Sequence, residues 1–98
     1  MDITDWRKKI DELDEKLLEL LSQRMACALE IGKIKSATDQ PIYSPERETR
    51  VLNGLKKMNE GPLSDAAVQR IFQQIIDESR RLEQDHSGDE PSKVNDSE

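Results

Sequence analysis

Six polar side chains of this 98-residue chain fall where helical spacing calls for apolar ones: Arg24, Lys35, Arg47, Glu48, Ser79 and Glu83. Arg24 stands in an apolar seam between Leu20 and Ile31. An unpaired arginine there would cost several kcal/mol, so it needs an anion or a wet cavity. Lys35 follows eleven residues later, three turns on and within ~20° of the same face, ~16 Å away at the backbone. Two long cationic side chains thus look into one groove. Ser79 lies in line with Ile75, Ile76 and Leu82, and Glu83 is one turn beyond it on the same flank. Glu48 precedes Val51, Leu52 and Leu55 on an apolar side, and Arg47 borders it. A pocket lined by these six is cationic, with two carboxyl groups to pair or donate. The ligand it matches is a small molecule carrying more than one carboxylate.

The same residues admit a structural reading. Arg24 and Glu83 could form a buried salt bridge that fixes helix register, with Lys35 snorkelling to water. Arg7 reads as a solvated residue beside Trp6, ~25 Å from Arg24 along one helix. It can share a small ligand with Arg24 only if a partner helix runs antiparallel. No Cys–His or Ser–His pairing exists, because the sole histidine, His86, falls in the C-terminal tail. Metal-ligand spacing and a glycine-rich phosphate loop are also missing from the sequence. An enzyme of this composition works by holding and polarising its substrate.

Three helices must position these groups. Over residues 5–37, Ile10, Leu13, Leu17, Leu20, Arg24, Cys27, Ile31 and Ile34 alternate steps of three and four, with Trp6 and Leu21 widening the face. Gly32 interrupts at about 1 kcal/mol. A helix of ~33 residues is roughly 50 Å long, too long for a small globule, and this predicts a dimer. Pro41 is the stop. In PIYSPERE (41–48), Ser44 suits an N-cap and Pro45 the first helical position. Val51, Leu52, Leu55 and Met58 then form a short stripe, closed by Gly61 as a candidate C-cap and by Pro62. The third helix spans about 65–84, capped by Ser64, with Val68, Ile71, Phe72, Ile75, Ile76, Ser79 and Leu82 at helical spacing.

Composition sets the outer bounds. With 34% hydrophobic and 37% charged residues and three aromatics, the chain suits amphipathic helices, hence an all-α fold with a thin core. The net charge of −6 is concentrated at the end: residues 85–98 hold five acids and one lysine, leaving −2 for residues 1–84. The body therefore has no basic face for nucleic acid. No apolar run reaches the ~20 residues of a membrane span, and MDITDWRKKI lacks signal-peptide order. The single cysteine, Cys27, forms no disulfide within the chain. These features favour a cytoplasmic setting. Residues 1–84 read as one helical domain, and 85–98 as a disordered acidic tail with a solvated His86.

WRKKIDELDEKLLELLSQRMACALEIGKIK, then PIYSPERE, then RIFQQIIDESRRLEQ together resemble the all-helical class of chorismate mutases over residues 5–84. The resemblance implies an intertwined homodimer, three helices per chain, that rearranges chorismate to prephenate without a cofactor. It implies that Arg24 and Lys35 are cationic substrate ligands, and that Arg7 reaches the other subunit's site. Arg47 and Glu48 match the second helix's contribution, the glutamate binding the substrate hydroxyl. Ser79 matches a serine near a substrate carboxylate, and Ile31 an apolar residue packed on the substrate. Two positions depart from the pattern. Glu83 stands where many bacterial members have glutamine, and Ser44 where some relatives have aspartate; a backbone contact there makes the swap inexpensive.

The implied reaction is pericyclic, so no group attacks. Holding the enolpyruvyl arm over the ring supplies several kcal/mol. Arg7 of one subunit and Arg24 of the other each clamp a carboxylate. Lys35 donates to the ether oxygen as charge builds on it, and Glu83 is a second donor if protonated. An isochorismate-pyruvate lyase of the same fold is the nearest rival reading. A non-catalytic helical dimer or regulatory module is the other. The resemblance also admits association with another enzyme of aromatic biosynthesis, since some mutase domains are fused to one or work beside one.

Overall fold

The structure, a computed structural model, describes residues 1–87. Among these residues three helices occur and no strand: α1 (Ile3–Thr38), α2 (Pro45–Met58) and α3 (Asp65–Ser87). The fold is all-α, as composition and periodicity indicate.

Helix α1 begins two residues before the expected start because Asp2 and Asp5 form a reciprocal cap. The Asp2 carboxylate accepts from the Asp5 N–H at 3.0 Å, and Asp5 accepts from the Asp2 N–H at 3.3 Å. It ends at Asp39, which turns into the left-handed region at φ 55°, and Pro41 follows. Its buried residues are Ala28 and Gly32, both small. Ile10, Leu13, Leu17, Leu20, Ile31 and Ile34 of the seam are each at least 46% exposed within the chain. Helix α3 therefore packs beside the seam, on Arg24, Met25, Ala28, Gly32 and Lys35, and leaves the seam uncovered. The placing of Arg24 inside the seam is corrected accordingly. Its side chain sits on the flank that meets α3.

At the start of α2, Pro45 occupies the first turn and the Ser44 carbonyl accepts from the Glu48 N–H at 3.1 Å. The Ser44 hydroxyl makes no capping bond, contrary to its expected role. Leu52 is buried, Val51 and Leu55 half-buried, and Met58 is exposed and outside the expected stripe. Gly61 is not the C-cap either. Asn59 holds that position, and its side chain organises the turn, accepting from the Gly61 N–H and donating to the Leu63 carbonyl and Asp65. Gly61 supplies the positive φ of 81° that the turn requires.

Ser64 caps α3 as its position suggests, its hydroxyl accepting from the Ala67 N–H at 3.0 Å. Val68, Ile76 and Ser79 are buried along this helix, and Ile71 is exposed. α3 runs to Ser87, three residues past the expected end. The rest of the acidic tail and the His86 side chain lie outside the described residues. Helix α3 is the shared element: α1 and α2 each pack on it and not on one another. The result measures 52 × 36 × 16 Å with a radius of gyration of 16.8 Å, against about 13 Å for a compact chain of this length. The core is correspondingly small, formed by Ala28, Leu52, Val68 and Ile76 with Ser79.

Candidate active site

Where α1 and α3 meet the connector and the first turn of α2, they enclose a cavity of about 560 Å3, within the range of small-molecule sites. Ala28, Ile31, Val51 and Ile76 supply its apolar lining. Arg24, Lys35, Arg47, Glu48, Ser79 and Glu83 all border it, as does Ser44. The structure thus brings together every site residue expected from sequence except Arg7, which lies exposed on the N-terminal part of α1.

Gly32 sets the distance between the helices. A β-carbon at that position would meet the Glu83 backbone, so α3 lies directly against it. Lys35, three residues on, shares Gly32's face and donates to Glu83 Oε1 and to the Ile42 carbonyl, each at 3.0 Å. Lys35 is thereby held on two sides and does not snorkel outward. Its ammonium has three N–H groups, so one remains for a ligand. With Glu83 taken by Lys35, the Arg24–Glu83 bridge of the structural reading does not form.

Arg24 instead donates from Nη1 to the Ser79 hydroxyl, which donates in turn to the Ile75 carbonyl at 2.9 Å. A neutral partner leaves the Arg24 charge uncompensated by any carboxylate among the described residues. Arg47, exposed at the rim, has no ionic partner among the described residues. Glu48 accepts from Arg80 Nη2 at 2.8 Å through Oε2.

Arg80 was not foreseen. It lines the cavity, donates also to Asp77 at 3.3 Å, and stacks over Tyr43 at 4.7 Å from the ring centre. Its guanidinium is held above its usual pKa, chiefly by the hydrogen bond to Glu48, against the opposing effect of burial. Its charge is therefore secure at any neutral or acidic pH. One signal was available: Arg80 lies one turn after Ile76 on the inward face, whereas Arg81 follows Asp77 outward. The Ile42 carbonyl was also missed, since a backbone acceptor leaves no mark on residue type.

The lining holds four cations, Arg24, Lys35, Arg47 and Arg80, and two carboxylates, Glu48 and Glu83. Two ion pairs consume both carboxylates and two cations. Arg24 and Arg47 remain, a surplus of two positive charges suited to a dianion.

An all-helical fold with a cationic cavity between its helices is the class these features define. The sequence pattern of the family described as chorismate mutase type II matches residues 6–84, and the chain belongs to that family. It is 32% identical over 85 residues to the chorismate mutase of Methanocaldococcus jannaschii, covering 86% of each chain. A bifunctional chorismate mutase/prephenate dehydratase of Pseudomonas aeruginosa is 43% identical over 83 residues, 80% of this chain. This chain spans only 23% of that relative's length. Among solved structures, form II of the chorismate mutase from Thermus thermophilus superposes with a TM-score of 0.82 at 34% identity, covering 84% of this chain and 93% of that one. The chorismate mutase of Helicobacter pylori in complex with prephenate gives 0.79 at 30% identity, covering 86% and 91%.

Proposed function

We propose that this protein is a cytoplasmic chorismate mutase that converts chorismate to prephenate with no cofactor, as a homodimer. The observation that carries the reading is the pair of guanidiniums, Arg24 and Arg47, without carboxylate partners among the described residues, beside the Lys35–Glu83 pair. Chorismate is a dicarboxylate whose rearrangement breaks one ether C–O bond while a C–C bond forms, and no external group enters or leaves.

In this mechanism the cavity restrains the enolpyruvyl arm over the ring, and the entropy removed in advance lowers the barrier. Arg24 clamps one carboxylate, with Ser79 beside it. Arg47 lies at the mouth, Ile31 packs on the substrate, and Ser44 contacts it through its backbone. Glu48 accepts a hydrogen bond from the substrate hydroxyl. Lys35 directs its remaining N–H at the ether oxygen, where charge develops only as the bond breaks. Glu83 holds Lys35 in place through Oε1, and Oε2 is a second donor to the same ether oxygen only if it carries a proton.

The second carboxylate is met by Arg7 from the partner subunit's α1. Arg7 is ~25 Å from Arg24 along α1, so it completes a site only when two such helices run antiparallel. The uncovered seam of α1 supplies the apolar surface for that pairing. The fused dehydratase of the Pseudomonas relative supports association with an enzyme that consumes prephenate.

Incubation with chorismate and, separately, isochorismate, followed by product identification, tests the reading. Prephenate from chorismate is expected. Pyruvate and salicylate from isochorismate, without chorismate turnover, would assign the lyase activity instead.

A further inference from the structure

Arg80 takes no part in the chemistry above, yet it borders the cavity and holds the carboxylate assigned to the substrate hydroxyl. Glu48 sits in the first turn of α2, an element that touches α3 but not α1. A free glutamate there would sample several rotamers. Arg80 removes that freedom through an anchored guanidinium. Asp77 fixes it from one turn back on α3 at 3.3 Å, and the Tyr43 ring supports it from the connector at 4.7 Å. Only Oε2 of Glu48 is engaged, so Oε1 carries no hydrogen bond among the described residues. The carboxylate is two-sided, with one oxygen tied to the protein and one left for a ligand donor.

We infer that Arg80 is a positioning residue for substrate specificity: by holding Glu48 Oε2 it fixes Oε1 as the acceptor for the ring hydroxyl and so selects substrates bearing the hydroxyl there. The inference rests on the reading that Glu48 binds that hydroxyl. A misplaced acceptor of this kind typically lowers the rate by up to about 100-fold. Loss of alignment falls on the hydroxyl-bearing substrate alone.

The test compares kcat/KM on chorismate and on its analogue with hydrogen in place of the ring hydroxyl, for the parent, Arg80→Met, Arg80→Lys, Glu48→Ala and the double variant E48A/R80M. Arg80→Met should lose about 10- to 100-fold on chorismate and little on the deoxy analogue. Arg80→Lys, which retains a donor for Oε2, should recover part of the preference and serves if the methionine variant fails to fold. In the Glu48→Ala background, Arg80→Met should add no further loss. Equal losses on both substrates, or a loss that persists without Glu48, would overturn the proposal, the latter assigning Arg80 a direct hold on a carboxylate. If Glu48→Ala itself keeps the parent's preference for the hydroxyl, the reading of Glu48 falls, and this proposal with it. If Glu48→Ala abolishes the preference while Arg80→Met and Arg80→Lys keep it, the proposal alone falls.

Discussion

A β-carbon on Gly32 would lie 2.9 Å from the α-carbon of Glu83 and 3.2 Å from its carbonyl oxygen. The Lys35–Glu83 pair therefore exists at its 3.0 Å separation because position 32 has no side chain. Gly32→Ala should push α3 outward against backbone that cannot rotate aside, destabilising the protein by about 1–3 kcal/mol. Turnover should fall more than binding, because Lys35 and Glu83 are displaced together. Urea unfolding beside steady-state kinetics checks this; a variant of parental stability and activity would contradict the close contact.

Arg24→Ala should leave the fold largely intact, since Ser79 keeps its bond to the Ile75 carbonyl and no buried hydroxyl is orphaned. If Arg24 clamps a substrate carboxylate, loss of that charged donor should reduce kcat/KM by about 100-fold or more. Circular dichroism and size-exclusion chromatography alongside the assay separate the two roles. A weakened dimer with turnover unimpaired per dimer would instead mark Arg24 as a structural residue.

If Arg7 and Arg24 act in one site from opposite subunits, two inactive variants should complement. Arg7→Ala and Arg24→Ala, unfolded together and refolded as a mixture, should regain about a quarter of parental activity. Half the dimers are then mixed, and each has one intact site of two. No recovery would show that both arginines serve the same chain's site.

If Glu83 is the second donor it acts only when protonated, so activity should then rise as pH falls from neutral. Glu83→Gln keeps a donor at all pH values and should remove most of that dependence. Parallel pH–rate profiles of parent and variant decide the matter. A flat parental profile would eliminate Glu83 as a proton-dependent donor.

Two serines placed alike before helices should behave differently. Ser64→Ala removes the bond to the Ala67 N–H and should cost about 1 kcal/mol. Ser44→Ala removes no capping bond, so thermal unfolding should shift little, and activity should stay near the parent's if the substrate contact there is through backbone.

Much of this organisation is legible in residue type and spacing. Pro41, Pro45 and Ser64 punctuate the helices because their effects are local and do not depend on what packs nearby. Arg24, Lys35, Ser79 and Glu83 stand out because a polar residue on an apolar helical face is conspicuous in one dimension. Their pairing is another matter. Whether Glu83 meets Arg24 or Lys35 depends on how near α3 comes to α1, which Gly32 controls, and as a sequence feature that glycine is only a tolerable interruption. Arg80 stayed hidden for a similar reason, as its partner Glu48 is on another helix. Ser44 misled because an N-cap position can be occupied without the side chain being used.

The polar residues of the cavity are encoded as phase along three helices, and phase makes the site sensitive to chain length. One residue inserted between Ile76 and Glu83 would rotate everything after it by about 100°, carrying Glu83 off the face that meets Gly32. An insertion in the connector would slacken the hold of Ile42 on Lys35. The turn between Asn59 and Ser64 borders no part of the cavity, so added length there should be absorbed. The molecule thus has one permissive joint and one constrained joint, a distinction that guides where a tag, a linker or a second domain can be introduced.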